Sequence, residues 1–493
     1  MDPDAGGTRN GYTACVLAAL CSVLWPGAGH LAVKARFRAP VLAAVVLNAM
    51  ATASALVVVA HVGSRADLAR IIEDRAVFVV FGLDIAVLAL TRLVTAVDAA
   101  WAARPDITWP RVAAAASAFL VVTAGVAPLV VAADYVWVTD RTIEKVFGSH
   151  EPLTAEPTPL TTVAASSTTS SSSTTSTTST TLPPNTPFEG YGRVNVLLLG
   201  GDAGPGRWSL RTDTMVVVSV DPATGDTAMI SVPRNLPRLP FPPDSDLGRK
   251  FPRGFTDLAN AVYPYVNGHR ELAGGGEDAG AQAIKAGIAQ LLGIPIHYYV
   301  LVDMAGFVDV VDALGGIDIF VGQRVPSPGN PRDAKHQVPA YIEAGQQHMD
   351  GTLALTYARS RKGDDDYHRM ARQRCVLNAI AARATPMTLA VGLPSLLAAF
   401  GASVSTDIPR SRLGDFAIVI DRFQQHGGNA AVRTLHLAPP FYQSSRWKAQ
   451  EVRDLVTQVL TPTVAPVGST VPGATVPVPE GVPSLTQECG TSG

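Results

Sequence analysis

The chain has 493 residues and a formal net charge of −2, and only 16% of its residues are charged. This length is enough for two or three domains, and the near-neutral charge argues against a protein that binds nucleic acid over its whole surface. The mean hydropathy of +0.20 is high for a soluble protein. Because the apolar excess lies mostly in the first 140 residues, the composition indicates a membrane region there.

The first 140 residues contain about four apolar segments of spanning length, at 11–33, 40–62, 76–99 and 112–135. The first segment is interrupted at Trp25-Pro26-Gly27, so it either spans the membrane or bends into a re-entrant hairpin. The connection 63–75 has mixed charge and is predicted to be a loop.

The short loops 34–39 and 100–111 carry basic residues with little acid. The positive-inside rule therefore predicts that both loops are cytoplasmic. The chain is expected to be a multi-pass protein of the plasma membrane, and everything after about residue 140 is expected to be extracytoplasmic.

Residues 141–187 are predicted to be a flexible linker rich in Ser, Thr and Pro. The stretch 161–187 has almost no apolar side chains and no charge, so it cannot bury enough surface to offset the entropy of ordering. The tail 461–493 is rich in Pro, Val and Thr and is predicted to be disordered. The four cysteines do not form a disulfide framework, and a disulfide between Cys375 and Cys489 is possible with little support from the sequence.

Residues 188–460 alternate between apolar runs typical of strands and periodic runs typical of helices. The predicted strands are 194–199, 214–220, 227–232, 297–302, 317–321 and 431–437. The predicted helices are 281–292, 307–313, 389–400, 411–424 and 448–460. This alternation predicts an α/β domain whose sheet is covered by helices on both faces.

Charged side chains stand at the ends of the first three predicted strands. Asp202 follows the first strand, Arg211 and Asp213 lead into the second, and Arg234 follows the third. Ligand sites in α/β sheets collect at strand ends. Carboxylates suit a hard cation such as Mg²⁺, and arginines can clamp phosphate oxygens, although a charged residue at a strand end is more often a solvated loop residue.

The stretch 357–374 holds six basic and three acidic side chains. Its run of aspartates predicts a helix start. Asp366, Arg369 and Gln373 then share one face, which Met370, Leu377 and Ile380 continue, while Arg372 and Arg374 point elsewhere into solvent. Two interpretations stay open for this stretch: a seat for a phosphate and a surface helix with a charged first turn.

The α/β region contains five motifs in this order: LLLGGD, RTDTMVVVSVD, SVPRN, LVDMAGFVDVVDALGGIDI, and YARSR followed by DxxRxxxQ. In their order and spacing, these motifs resemble the LytR-CpsA-Psr family over about residues 190–385. The resemblance implies a mixed sheet between helices, with an apolar tunnel that the stretches 284–302 and 304–321 could line. It also implies a membrane-anchored phosphotransferase that moves a glycopolymer from a polyprenyl-pyrophosphate carrier onto peptidoglycan. The implied partners are that donor, the peptidoglycan acceptor and the lipid bilayer, without nucleic acid.

The resemblance also assigns roles to residues. Asp202 and Asp213 look like ligands of Mg²⁺ or Mn²⁺, and Asp366 matches an acid that orients an arginine or assists proton transfer, with Arg359 and Arg361 beside it at the reacting group. The implied diphosphate shell consists of Arg211, Arg234, Arg359, Arg361, Arg369 and Gln373.

Two positions depart from the family pattern. Leu258 stands where the family often has Lys, and Asn235 stands where it has Asp. These departures keep two alternatives open: a polyprenyl-pyrophosphate hydrolase that uses water, and a non-catalytic envelope protein that binds polymer or regulates assembly.

Overall fold

A computed structural model describes most of the membrane region and most of the α/β domain. The described residues are 5–32, 34, 39–60, 65–102, 109–147, 154–157, 187–202, 210–327, 338–361, 366–383, 396, 399, 401, 403–437, 442–443, 446–461 and 489. The chain divides into two compact units, 1–142 and 143–493. Most of the predicted linker, the predicted helix 389–400 and nearly all of the predicted disordered tail lie outside the described residues.

The first unit is made of helices. Their bounds are α1 Ala5–Leu24, α2 Ala28–Ala32, α3 Ala39–Ala60, α4 Arg65–Glu73, α5 Arg75–Ala102 and α6 Trp109–Val146, the last continuing past the unit's end. Three of these helices are long and apolar enough to cross a membrane, over Ala39–Ala60, Arg75–Ala100 and Ala116–Val146. They overlap the predicted segments 40–62, 76–99 and 112–135.

The predicted segment 11–33 is a helical hairpin, since α1 ends at Leu24 and α2 begins at Ala28. The chain turns at Gly27, which has a φ of 87°, and α2 folds back on α1. A Cβ on Gly29 would lie 2.0 Å from the carbonyl oxygen of Ala18. The apolar part of α1, Thr13–Leu24, is too short to span, so the geometry favours the bent alternative.

The connection 63–75 was predicted to be a loop, and this prediction is wrong because α4 occupies Arg65–Glu73. In the sequence, Leu68, Ile71 and Ile72 recur at helical spacing, which is typical of an amphipathic helix. Asp67 in the first turn and Arg70 in the last turn suit the helix dipole. Mixed charge here reflects the polar face of such a helix.

In its described residues, the second unit contains a six-stranded mixed sheet and three two-stranded antiparallel sheets. The strands are β1 Val194–Gly201, β2 Thr212–Val220, β3 Thr227–Ser231, β4 Tyr298–Asp303, β5 Ile317–Val321, β6 Val325–Pro326, β7 Tyr341–Ile342, β8 Gly345–Met349, β9 Val404–Thr406, β10 Arg433–His436, β11 Tyr442–Gln443 and β12 Arg446–Trp447. The large sheet has the order β10-β3-β2-β1-β4-β9. β1 is parallel to β4 and β3 to β10, and the other neighbours are antiparallel.

Helices cover both faces of this sheet, which confirms the predicted α/β class. They are α7 Asp246–Lys250, α8 Val262–Asn267, α9 Ala279–Leu292, α10 Met304–Ala313, α11 Gly351–Arg359, α12 Asp366–Arg383, α13 Leu413–Gln425 and α14 Ala449–Leu460. α9, α10, α13 and α14 overlap predicted helices. The main core lies between α8, α9, α14 and one face of the sheet, where Leu197, Val217 and Ile230 have no exposed surface.

A disulfide joins Cys375 to Cys489 across 114 residues. It confirms a pairing that the sequence supported only weakly. Cys375 lies in the middle of α12 and is buried. The disulfide therefore fixes one residue of the C-terminal tail to a helix that also borders the candidate site.

Candidate functional site

One cavity of about 630 Å³ opens where β1 and β4 end. Its lining has a polar part and an apolar part. The polar part is open to solvent, because Arg211, Arg359 and Arg361 are exposed. It includes Asp202, Arg211, Asp213, Arg234, Asn260, Arg359, Arg361, Arg369 and Gln373. Of the predicted site residues, all but Asp366 therefore line a single cavity.

The end of β1 explains how Asp202 reaches this position. The pairing with β2 shifts register between Gly200 and Gly201, and such a bulge re-aims the chain at a strand end. A Cβ on Gly200 would lie 2.8 Å from the Cβ of Thr214, so the close approach requires glycine. The backbone N–H of Asp202 then donates to the carbonyl of Arg211 at 2.7 Å, which holds the two loop residues together.

Asp213 joins three distant parts of the chain. Its Oδ2 accepts from Nη1 of Arg234 at 2.6 Å, and its Oδ1 accepts from Nδ2 of Asn260 at 2.9 Å. Its backbone carbonyl accepts from Nη1 of Arg369 at 3.1 Å. A charge-assisted pair of this kind fixes the orientation of a guanidinium group, so Asp213 holds Arg234 in the polar part of the cavity.

Arg359 comes from a helix that the sequence did not predict. α11 begins after Asp350, whose side chain accepts from the N–H of Leu353 at 2.7 Å, and it ends at Arg359, where a cation suits the dipole. Arg359 Nη2 lies 3.6 Å from Asp202 Oδ1, and the side chain of Arg359 is 44% exposed. The capping aspartate and the helix formers after it were the signal that could have found α11.

α12 begins at Asp366, close to the predicted helix start. Arg369 and Gln373 line the polar part of the cavity, and the same face continues into the apolar part through Val376, Leu377 and Ile380. The side chain of Asp366 and residues 362–365 lie outside the described residues. The role assigned to Asp366 therefore stays a prediction.

Arg372 and Arg374 were predicted to be solvated, and this prediction is wrong. Arg372 is 7% exposed and Arg374 is fully buried. Nη2 of Arg372 donates to the carbonyl of Ser360 at 2.6 Å. Nη1 of Arg374 lies 2.7 Å from Nδ1 of His436 and donates to the Ser231 hydroxyl at 3.2 Å. The face of α12 that points away from the cavity packs against the end of α11 and the end of β3. These two arginines therefore stabilise the packing of α12.

The apolar part of the cavity lies between the second face of the sheet and three helices. It is lined by Leu198, Val300, Val302 and Val404 from strands and by Met304, Phe307, Val310, Leu355, Ala358, Val376, Leu377 and Ile380 from α10, α11 and α12. Most of the two stretches predicted to line a tunnel is core, as Ile284 and Ile288 show by their full burial on the other face. Only their residues Val300 to Val310 supply lining side chains.

The polar part offers oxygen atoms that fit Mg²⁺. Asp202 and Asp213 bring carboxylates to it, and Asn260 Oδ1 is buried without a hydrogen-bond partner among the described residues. Hard cations take such oxygen ligands and keep several positions for water or substrate. No group of three or more His, Cys, Asp or Glu side chains placed for a metal occurs in the described part of the chain, so an ion here would need oxygens from its substrate.

The sequence did not single out Asn260, although it stands at the asparagine of a family motif. It is 5% exposed and touches Asp213 directly. Two residues earlier, Leu258 is 37% exposed and forms a backbone bridge with Pro237. The departure at Leu258 therefore puts an apolar side chain on the surface next to a residue of the site.

The sequence profile of the LytR_cpsA_psr family matches residues 160–439, which is more than half of the chain. The chain belongs to this family. The matched range includes every residue of the polar part of the cavity.

Curated relatives of this LytR_cpsA_psr chain are named polyisoprenyl-teichoic acid–peptidoglycan teichoic acid transferase TagU. A protein of this name from Bacillus cereus is 27% identical over 224 residues, which cover 45% of this chain and 63% of the relative. That from Oceanobacillus iheyensis is 31% identical over 224 residues, covering 45% and 60%. The chain thus spans less than two thirds of the length of these relatives.

A solved structure of TagV from Bacillus subtilis is also similar to this family member. The two share 25% sequence identity, with 54% of this chain and 95% of the TagV chain covered and a TM-score of 0.40.

Proposed function

We propose that this protein is a membrane-anchored phosphotransferase that moves a glycopolymer from a polyprenyl-diphosphate carrier onto peptidoglycan. One observation carries the proposal: five arginines from distant parts of the chain border the polar part of a cavity whose other part is apolar. A polyprenyl diphosphate has the same two parts, an anionic group and a hydrocarbon tail. The similarity to the TagU relatives, which are named polyisoprenyl-teichoic acid–peptidoglycan teichoic acid transferases, supports it.

The arginines would bind and orient the diphosphate. Arg234 and Arg369 are held by Asp213, so their guanidinium groups are set before substrate arrives. Preorganised donors of this kind stabilise charge that develops on phosphate oxygens during transfer. Arg211, Arg359 and Arg361 are more exposed and would close on the phosphates from the solvent side.

In the proposed reaction a hydroxyl oxygen of the acceptor sugar attacks the phosphorus atom that bears the glycopolymer. A new P–O bond forms, and the bond between this phosphorus and the bridging oxygen breaks. The lipid monophosphate leaves with the bonding electrons, and the hydroxyl proton is released. We assign Asp366 to receive this proton or to orient an arginine, and Gln373 to position the phosphate.

We also propose that Asp202, Asp213 and Asn260 hold Mg²⁺ or Mn²⁺ together with the diphosphate. A bound divalent ion would neutralise charge on the phosphate oxygens. The orphaned amide oxygen of Asn260 supports this ligand set. Removal of divalent ions with EDTA should stop transfer, and either Mg²⁺ or Mn²⁺ should restore it.

The proposed location is the plasma membrane, with several spans and an extracytoplasmic transferase domain. The three long apolar helices support the spans, and the basic loops 34–39 and 100–111 support the orientation. The Ser/Thr-rich sequence between the membrane unit and the transferase domain would let this domain reach the wall.

The test is a transfer assay with the full chain in detergent, a polyprenyl-diphosphate-linked polymer, peptidoglycan and Mg²⁺. Arg359→Ala should lower the rate of polymer joined to peptidoglycan by about 10²–10³-fold, the usual loss for one stabilising donor. Arg253→Ala removes an exposed arginine that does not line the cavity and should leave the rate unchanged.

Three outcomes would contradict the proposal. The first is a wild-type protein that joins no polymer to peptidoglycan and behaves like Arg359→Ala, which would remove the basis for a transferase. Phosphate release that is independent of the acceptor, without polymer joined to the wall, would identify a hydrolase. Tight donor binding without turnover under any divalent ion would identify a binding protein.

A further inference from the structure

A second cavity, of about 560 Å³, lies at the opposite ends of β1 and β4. Asn195 borders it near the start of β1, whereas Asp202 follows the end of the same strand. Seven residues of extended chain separate the two positions, or about 23 Å at the usual rise of a strand. The second cavity is therefore separate from the one that holds the arginines.

A buried hydrogen-bond acceptor lies in the wall of this second cavity. Asn195 is 2% exposed, and its Nδ2 donates to the carbonyl of Pro295 at 2.7 Å. That bond fixes the orientation of the amide, so the remaining atom, Oδ1, is an acceptor. Oδ1 has no hydrogen-bond partner among the described residues. Because buried polar atoms are nearly always satisfied, this oxygen is an acceptor that a water or a hydroxyl donor of a bound molecule would satisfy.

Two more polar side chains reach the cavity from an extended segment. The backbone of Ala155 exchanges hydrogen bonds with that of Ile296, both at 3.0 Å. Residues two apart in extended chain point to the same side, so the pairing of Ala155 sends Thr154 and Glu156 to the cavity together. Both side chains are exposed and can accept hydrogen bonds.

The cavity does not suit an anion. The guanidinium of Arg193 is engaged: Nε donates to the Ser219 hydroxyl and Nη1 to Asp226, both at 2.8 Å. Burial, with a contribution from the charge of Lys285, lowers the pKa of His297 to about 4, so this ring is neutral at physiological pH. Glu156 adds a carboxylate to the lining, which would repel a phosphate.

Aromatic and aliphatic groups complete the lining. The rings of Tyr191 and His297 are 4.7 Å apart in an edge arrangement, and Ile294 and Leu460 add apolar surface. A sugar ring presents hydroxyl donors at its edge and C–H groups on its faces, so it matches both the acceptors and the apolar lining. The volume falls within the usual range of small-ligand sites, about 300–1,000 Å³.

We propose that this second cavity binds an uncharged sugar unit of a glycan through Asn195, Glu156 and Tyr191. The sugar could belong to the wall glycan or to the transferred polymer, since both offer the same hydroxyl chemistry. In either case the site would hold a glycan on the domain without contact with the arginine cavity.

Calorimetric titration of the full chain tests this proposal, in a polyoxyethylene detergent because its headgroup is not a sugar. One arm uses an oligomer of β-1,4-linked N-acetylglucosamine as the wall probe, and the other uses maltotriose as a neutral hexose probe. We expect saturable binding of one probe in the millimolar range or tighter. Glu156→Ala should weaken it about five-fold, the effect of one net hydrogen bond, and Asn195→Ala should weaken it further.

Two controls separate this site from the proposed transferase site. Glu271→Ala removes an exposed carboxylate that lines neither cavity and should leave the affinity unchanged. Arg369→Ala should also leave it unchanged, although it should abolish transfer. Thermal unfolding checks that Asn195→Ala is folded. If that variant is not folded, the affinity of Glu156→Ala decides between the outcomes. The proposal is overturned by the absence of saturable binding of both probes up to about 10 mM, or by binding that Glu156→Ala leaves unaltered.

Discussion

The two faces of the large sheet are built from the same strands, yet one is packed solid and the other borders a cavity. On β1, Leu197 and Leu199 point to the packed face and are 0% and 2% exposed. Leu198 lies between them, points to the other face and lines the cavity. Both faces are equally apolar in sequence, so hydrophobicity alone does not distinguish a core from a ligand cavity. The covering helices decide the difference: α9 and α14 fill the first face, whereas α10, α11 and α12 stand around the second.

The largest expected effect comes from truncating one leucine side chain on each face of the sheet. Leu197→Ala should lower the free energy of unfolding by about 3–5 kcal/mol, because it opens a new cavity in a packed core. Leu198→Ala should cost about 1 kcal/mol, because that side chain already borders empty space and loses only part of its burial. Denaturant unfolding of the purified full chain measures both losses. Equal losses would mean that the second face is also packed.

The second expected effect is a loss of folding stability at acidic pH. Burial, then the charge of Lys285, lowers the pKa of His297 to about 4, below its ordinary value of 6.5. The unfolded chain therefore binds a proton between these values that the folded chain does not. Stability falls as the pH drops from about 6.5 to 4, by at most about 3 kcal/mol.

His297→Gln, which keeps a hydrogen-bond acceptor, should flatten this part of the profile when unfolding is followed against pH. His348→Asn serves as the control because the side chain of His348 is 57% exposed. A profile that is unchanged in His297→Gln would show that another group titrates there.

The smallest expected effect probes the cavity face with donor substrates. Leu198→Phe adds volume where space exists, so it should leave stability nearly unchanged while raising the KM for a donor with a long polyprenyl tail. We expect this KM to rise about ten-fold, which corresponds to roughly 1.4 kcal/mol of binding free energy. A donor with a truncated tail should keep its KM. Ile420→Phe enlarges an exposed apolar side chain that does not line the cavity and should change neither KM. An equal rise for both donors would place the tail elsewhere.

The sequence was sufficient for five of the six strands of the large sheet and for most of the residues that line the polar part of the cavity, but it missed β9 at Val404–Thr406. Strands β1, β2 and β3 were predictable because each is an apolar run closed by glycine, a turn or proline. Asp202, Asp213 and Arg234 were predictable because the ordered motifs, rather than their positions at strand ends alone, related them to Arg359 and Arg369.

The remaining features depend on packing that a single sequence does not encode locally. Arg374 has the same sequence signature as a solvated arginine, and only its position against Ser231 and His436 makes it structural. Asn260 is an ordinary turn residue until the fold brings it to Asp213. The tunnel residues could not be separated from core residues, since Leu198 and Leu197 differ only in which helices cover them.

Photo-crosslinking with a polyprenyl diphosphate that carries a diazirine on its tail locates the lipid-binding surface of the protein. If the tail occupies the apolar part of the cavity, peptide mapping should find the label on β4, α10 and α12, with Val300, Phe307 and Ile380 among the modified residues. Unlabelled donor should compete for this labelling, and Arg369→Ala should weaken it. Label confined to residues 1–142, or labelling of the α/β domain that unlabelled donor does not reduce, would show that the tail does not occupy this cavity.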